Sequence, residues 1–247
     1  RPEIEFPGVD STHPDVYQRG ADNLQKWIQR ELLVKRDKPG FYAYRQRLGD
    51  WTQCGLFAHC SCQQYHDNII KKHEFTRKAP ELDRTKTTDI QNANVGSVFL
   101  AYRGDENQTL RDYVRNKLIV GEPDRKVHLD FDNTDHELWI IEDDERVNEI
   151  IQLFSNVKSL YIADGHHRCA SAYNVFKQRK EAAGDSFTGN EPYCFFMAAI
   201  FADSELCVID YNRVISGVTI PTEELLAQIE RQGFKVTKYE GTEQPFT

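Results

Sequence analysis

The sequence contains no apolar run of membrane-spanning length. Its longest, Cys194 to Ala202, stops far short of the roughly 18 to 20 residues that a bilayer-crossing helix needs. No apolar segment follows the basic start Arg1-Pro-Glu-Ile-Glu-Phe-Pro7, so no secretion signal is expected there and the cytosol is the expected location. Excess positive charge is also missing: at a formal net charge of −8, a nonspecific grip on nucleic acid is not the bulk character of the chain. Repeats, low-complexity tracts and a clean linker are absent as well. The six cysteines are scattered through 247 residues without framework spacing, which reads as reduced, packed residues. Cys54, Cys60 and Cys62 stand near His59 and His66 and raise the question of zinc. A structural zinc site usually joins two ligand pairs, however, and no second pair follows.

What is present suffices for a folded core, since 39% of residues are hydrophobic. Leu24, Trp27 and Ile28 recur at helical spacing within Asp15–Leu33, which predicts an amphipathic helix. Strand-like runs on either side of Gly49-Asp50 predict a hairpin. From Asn68 to Ile90 the chain is polar, and Pro80 limits any helix crossing it. Val98–Tyr102 reads as a strand, Gln108–Asn116 as a helix, and the acidic stretch to Asp135 as irregular. Glu137–Ile141 is the next strand. The following helix, Asp143–Phe154, is expected to bury Val147, Ile150, Ile151 and Phe154. Ser159–Ala163 reads as a buried strand and Cys169–Ala183 as a long helix closed by Gly184. Strands around Phe195, Val208 and Val236, and a helix from Thr222 capped by its own hydroxyl, complete the expectation. This succession predicts a mixed α/β or α+β fold in a single domain over 1–247. Trp51, Tyr102 and Trp139 are candidates for a pocket wall, although aromatic residues on strands more often serve the core.

The junction Asp164-Gly165-His166-His167-Arg168 lies between strand and helix, where free N–H groups and the positive end of the helix dipole suit an anion. Gly165 removes the Cβ that would hold a phosphate off the backbone. Arg168 adds a bidentate donor, and His166 and His167 add ring donors. Asp164 would cap the helix or hold a metal ion on the phosphates. The plainer alternative is that Asp164 only caps while the histidines sit in solvent or pack in the core.

Lys71-Lys72-His73-Glu74 sets two cations, a titratable ring and a carboxylate side by side, with Lys78, Arg84 and Lys86 downstream. Transfer of a phosphoryl group to an alcohol requires deprotonation or orientation of the hydroxyl and neutralised phosphoryl oxygens. Glu74 is the candidate base, with Lys72 and Arg168 as charge stabilisers. A solvated surface turn is the composition-only alternative.

Ile70-Lys-Lys-His-Glu-Phe-Thr-Arg77, Asp83-Arg84-Thr85, Val98–Tyr102 and Ile162-Ala-Asp-Gly-His-His-Arg168 together resemble the family called domain of unknown function 1015, from near Arg1 to at least Arg213. Members of that family run longer at both ends, so the chain is expected to be a shortened form. The Asp-Gly-His-His-Arg turn also resembles the phosphate-holding turn of the ParB and sulfiredoxin superfamily, which includes free serine kinases. That resemblance implies a ParB/sulfiredoxin-like core and an ATP or ADP donor with Mg²⁺. It also implies contacts to the nucleotide from Asp164, His166, His167 and Arg168, and a Glu74 that faces the substrate hydroxyl. Asp164, Glu74 and His73 form the expected catalytic set, Asp164 the expected metal ligand. Gly165 to Arg168 with Lys71 and Lys72 form the expected nucleotide site.

The leading expectation is therefore a small-molecule kinase with free L-serine as its acceptor. The alternatives are a ParB-like nucleotide switch or DNA-associated protein, which the acidic charge balance disfavours, and a regulatory remnant without activity. Sulfur chemistry is disfavoured, because sulfiredoxin carries cysteine within the turn where this chain has histidine. Cys169, just beyond the turn, reads as a packing residue.

Overall fold

Helix α1 (Pro14–Gln29) opens with a proline in its first turn, and the His13 ring accepts from the Asp15 N–H. The expected Leu24-Trp27-Ile28 stripe is not its buried face. Val16, Tyr17 and Gly20 are buried instead, while Trp27 and Ile28 are 44% and 47% exposed. The helix is fixed near its start, where the Tyr17 hydroxyl donates to Asp83 at 2.9 Å. The predicted hairpin forms from β1 (Phe41–Leu48) and β2 (Trp51–Ser61), with Tyr42 opposite Phe57 and Gly49 at φ +55° in the turn. Ser61 caps the short α2 (Cys62–His66), and the two-residue β3 (Ile70–Lys71) follows. Pro80 does not prevent α3 (Lys78–Gln91): it falls in the first turn, where its missing N–H breaks no helical bond.

β4 (Val98–Tyr102) leads to α4 (Gln108–Tyr113), which runs on through a π-helical turn at Val114–Leu118. The stretch expected to be irregular contains β5 (Arg125–Leu129). This edge strand exposes nearly all its side chains and so shows no apolar alternation to read. β6 (Thr134–Ile141) and α5 (Asp144–Phe154) follow, the latter capped by Asp143 accepting from the Arg146 N–H at 2.9 Å. Ile150 is buried there, but Ile151 is not. β7 (Leu160–Asp164) differs from the expected buried strand: only Ile162 is buried, and Tyr161 and Ala163 face outward. Helix α6 (His166–Ala183) begins three residues earlier than predicted, so His166, His167 and Arg168 form its first turn. β8 (Phe195–Ala202) is the last strand of the sheet.

Contacts divide the chain into Arg1–Leu206 and Cys207–Thr247. The computed structural model describes residues 8–208 and 214–238, so Arg1–Pro7 and most of the strand expected around Val208 lie outside the described residues. Val208 itself is in no strand, nor is Val236. In the second unit, α7 (Thr222–Arg231) follows Pro221 at its N-cap, and the Thr222 hydroxyl makes no capping bond.

The sheet order is β3-β7-β4-β8-β2-β1-β6-β5. β3/β7 and β4/β8 pair in parallel and the other neighbours antiparallel, giving the expected mixed α+β architecture. α6 lies against β4 and β8, α3 against α6, and α1 against α3. Burial of Leu56, Leu100, Ile162, Cys169 and Phe196 ties helix to sheet, which bears out the packing role of Cys169. Tyr102 and Trp139 are also core residues, whereas Trp51 is exposed. Among the described residues no helix is long and apolar enough to cross a membrane.

Candidate functional site

The parallel pairing of β3 with β7, Ile70 beside Leu160 and Lys71 beside Tyr161, makes both strands end at one edge of the sheet. The Lys-Lys-His-Glu segment therefore meets the Asp-Gly-His-His-Arg junction, and the two sequence motifs become one site. The register between β4 and β7 shifts at Phe99/Leu100, which leaves Ala163 as an extra residue just before Asp164. Such bulges re-aim the side chains that follow them.

Gly165 is the N-cap of α6 at φ +96°, a left-handed conformation that other residues adopt only at a cost. Among the described residues no side chain caps this helix. Asp164 does not take the expected capping role: its carboxylate instead lies 3.6 Å from Arg168, and it is 69% exposed. The N–H groups of Arg168 and Cys169 both donate to the Gly165 carbonyl. Among the described residues, no acceptor serves the N–H groups of His166 and His167, which leaves open donors at the positive end of an 18-residue helix.

The histidine rings act differently from the expected donors. Nε2 of His166 lies 3.5 Å from the His73 N–H, and Nε2 of His167 accepts from the Arg77 N–H at 3.2 Å. In the neutral rings this places the proton on Nδ1. Nδ1 of His166 faces Oε1 of Glu74 at 3.3 Å, and the His73 ring meets the His166 ring edge-on at 4.3 Å. Burial holds the His166 pKa below the usual 6.5, with repulsion from His73 adding to it and Glu74 acting against it. Phe75, the next residue, is fully exposed.

One carboxylate and two imidazoles thus bring ligand atoms within 4.8 Å of one another at His73, Glu74 and His166. This nitrogen-rich set suits zinc or iron better than magnesium, which prefers oxygen ligands. With Nε2 facing a backbone N–H and Nδ1–H facing Glu74, His166 is engaged as a hydrogen-bonded pair rather than as an open ligand. Among the described residues the cysteines join no such grouping. Cys60 and Cys62 are buried, and burial pushes both thiols up to about 12.

The remaining expected residues divide. Arg168 donates to the Ser97 carbonyl, which fixes its guanidinium between the junction and the loop before β4. Lys72 turns away from the cluster and places its ammonium 3.8 Å from the centre of the Tyr65 ring, so it does not stabilise charge there in this arrangement. Lys71 serves the β3 ladder. Sequence reading missed Glu81, which the Thr76 hydroxyl and the Asn174 amide (2.8 Å) hold between α3 and α6. The Thr76 hydroxyl chiefly, joined by Asn174 and His167 and opposed by burial, keeps its carboxyl below the usual range. It also missed a cavity of about 430 Å³ walled by α1, α3 and α6, whose one sequence signal was a glycine inside a helix at Gly20.

The chain belongs to the family described as protein of unknown function (DUF1015), whose model matches residues 1–246. No curated protein and no solved structure matches the chain.

Proposed function

We propose that the chain is a nucleotide-dependent kinase for a small hydroxyl-bearing metabolite, with free L-serine as the first acceptor to test, on a core like that of ParB and sulfiredoxin. The observation that carries this reading is the placement of Glu74 against His166, at the uncapped first turn of α6. A phosphate at that turn would be held by the open N–H groups of His166 and His167 and by the helix dipole, with Arg168 close by. Mg²⁺ would sit on the phosphate oxygens, with the exposed Asp164 carboxylate as its protein ligand. Glu74 would take the proton of the acceptor hydroxyl as its oxygen attacks the terminal phosphorus. A new P–O bond forms, the bridging P–O bond breaks, and the nucleotide leaves one phosphate shorter.

The test is purified protein with Mg²⁺, ATP or ADP, and a pool of hydroxyl-bearing metabolites including L-serine, with products read by mass spectrometry. Phosphoserine that disappears in both Glu74→Ala and Arg168→Ala supports the kinase. Nucleotide binding without any product, lost only in Arg168→Ala, leaves a nucleotide-binding switch and removes the kinase. Absence of nucleotide binding removes both.

A further inference from the structure

We propose that the cavity between α1, α3 and α6 receives the base and sugar of a purine nucleotide whose phosphates reach the turn at Gly165; the phosphate half rests on the reading above. At about 430 Å³ the cavity falls within the range of roughly 300–1,000 Å³ typical of small-molecule sites. Its wall is mixed in the manner of a site for a flat, partly polar molecule. Trp27, Leu24, Val95 and Phe196 supply apolar surface, and Asn23, Thr87, Thr88, Gln91 and Asn94 supply hydrogen-bonding groups.

Three further observations point to the occupant. The first is Gln91, whose Oε1 is buried without a hydrogen-bond partner among the described residues. A buried amide oxygen left so is costly, and Gln91, which lines the cavity, would relieve it by turning that oxygen to an N–H on the edge of a heteroaromatic base. Gly20 supports this placement, because a Cβ there would overlap the Gln91 amide nitrogen. Glycine inside a helix costs about 1 kcal/mol relative to alanine, and here it makes room for one side chain. The second is charge. Arg84 and Arg168 both line the cavity, and Arg84 has no carboxylate partner among the described residues. A cavity of mixed wall lined by two guanidinium groups suits a ligand that is flat at one end and anionic at the other.

The third is continuity with the turn. Val98 lines the cavity, and its Cα lies 3.5 Å from where a Cβ on Gly165 would stand. Arg168 lines the cavity from the first turn of α6. Cavity and junction therefore share a wall.

Titration of wild-type protein, Gln91→Leu, Trp27→Ala and Arg168→Ala with ADP, adenosine and pyrophosphate separates the two halves, with thermal melts reporting that each variant is folded. Gln91→Leu and Trp27→Ala are expected to weaken ADP and adenosine about tenfold, the effect of one lost buried hydrogen bond or contact, and to leave pyrophosphate unchanged. Adenosine should also quench tryptophan fluorescence in wild-type protein and not in Trp27→Ala. ADP binding that both cavity variants retain in full overturns the proposal and leaves the phosphate turn standing. Pyrophosphate binding without adenosine or ADP binding overturns it as well. Adenosine binding lost in the cavity variants, with no affinity for pyrophosphate, keeps the cavity and removes the phosphate reading. Failure of all three ligands to bind overturns both.

Discussion

Nδ1 of His166 and Oε1 of Glu74 lie 3.3 Å apart, each residue standing just beyond the C-terminal end of one strand of the parallel β3/β7 pair. Burial of the His166 ring makes its ionisation part of the stability of the fold. Burial and His73 depress the His166 pKa below 6.5, and the opposing effect of Glu74 does not restore it. The unfolded chain thus binds the proton more readily than the native one. This contribution to stability is present above pH 6.5 and is lost as pH falls through the lower native pKa. Thermal melts of wild-type protein and His166→Gln at pH 7.5 and 5.5 should show a smaller acid-induced drop in the variant. An equal drop would remove His166 as the source.

Gly165→Ala should lower stability by about 1–2 kcal/mol, the cost of a Cβ in the left-handed region. The cause is the backbone at φ +96° rather than crowding, since the nearest atom to an added Cβ is an ordinary contact at 3.5 Å. Gly165→Asn should be milder, because asparagine tolerates this region better. Denaturant titration of both variants checks the order.

Two buried carboxylates differ in how many cations support them. Glu205 is paired with Arg115 at 2.6 Å and also accepts from the Cys54 N–H, whereas Glu137 has Arg45, Arg47 and Lys126. Burial pushes the Glu137 carboxyl up, but bonds from Arg45 and Arg47 outweigh it and hold the pKa below the usual range. Arg115→Ala leaves a buried charge without a cation and should cost about 3 kcal/mol. Arg47→Ala should cost clearly less, as two cations remain. Urea unfolding of the pair decides it, and equal losses would contradict the argument.

Asn174→Ala removes the α6 amide that bonds Glu81 and lies 3.3 Å from the Thr85 hydroxyl on α3. A loss of about 1–2 kcal/mol is expected from the severed bonds. The segment 76–77 should also loosen, since Thr76 is tied to Glu81 and the Arg77 N–H to His167. Hydrogen exchange at the Arg77 amide should accelerate in this variant while amides in β1 and β2 hold their protection.

Elements with a local signal were readable from the chain. The hairpin at Gly49-Asp50 and the strand–turn–helix at Gly165 each carry turn chemistry within a few residues. Elements specified by partners were not: β5 is polar because it is an edge, and α1 is fixed through Tyr17 rather than through its most apolar stripe. Within the site, residue types pointed to Glu74, His166 and Arg168, but no spacing reveals that His166 faces Glu74 while Lys72 turns to Tyr65. Those directions follow from strand pairing and from the bulge at Ala163.

The contact between His73 and His166 closes a separation of 93 residues. A ligand held across it would act as a removable staple, present only in the native state, and would raise the unfolding free energy by RT ln(1 + [L]/Kd). Neither segment alone carries both halves of the site, so a chain cut between β4 and β7 would regain ligand-dependent protection only when its pieces reassemble.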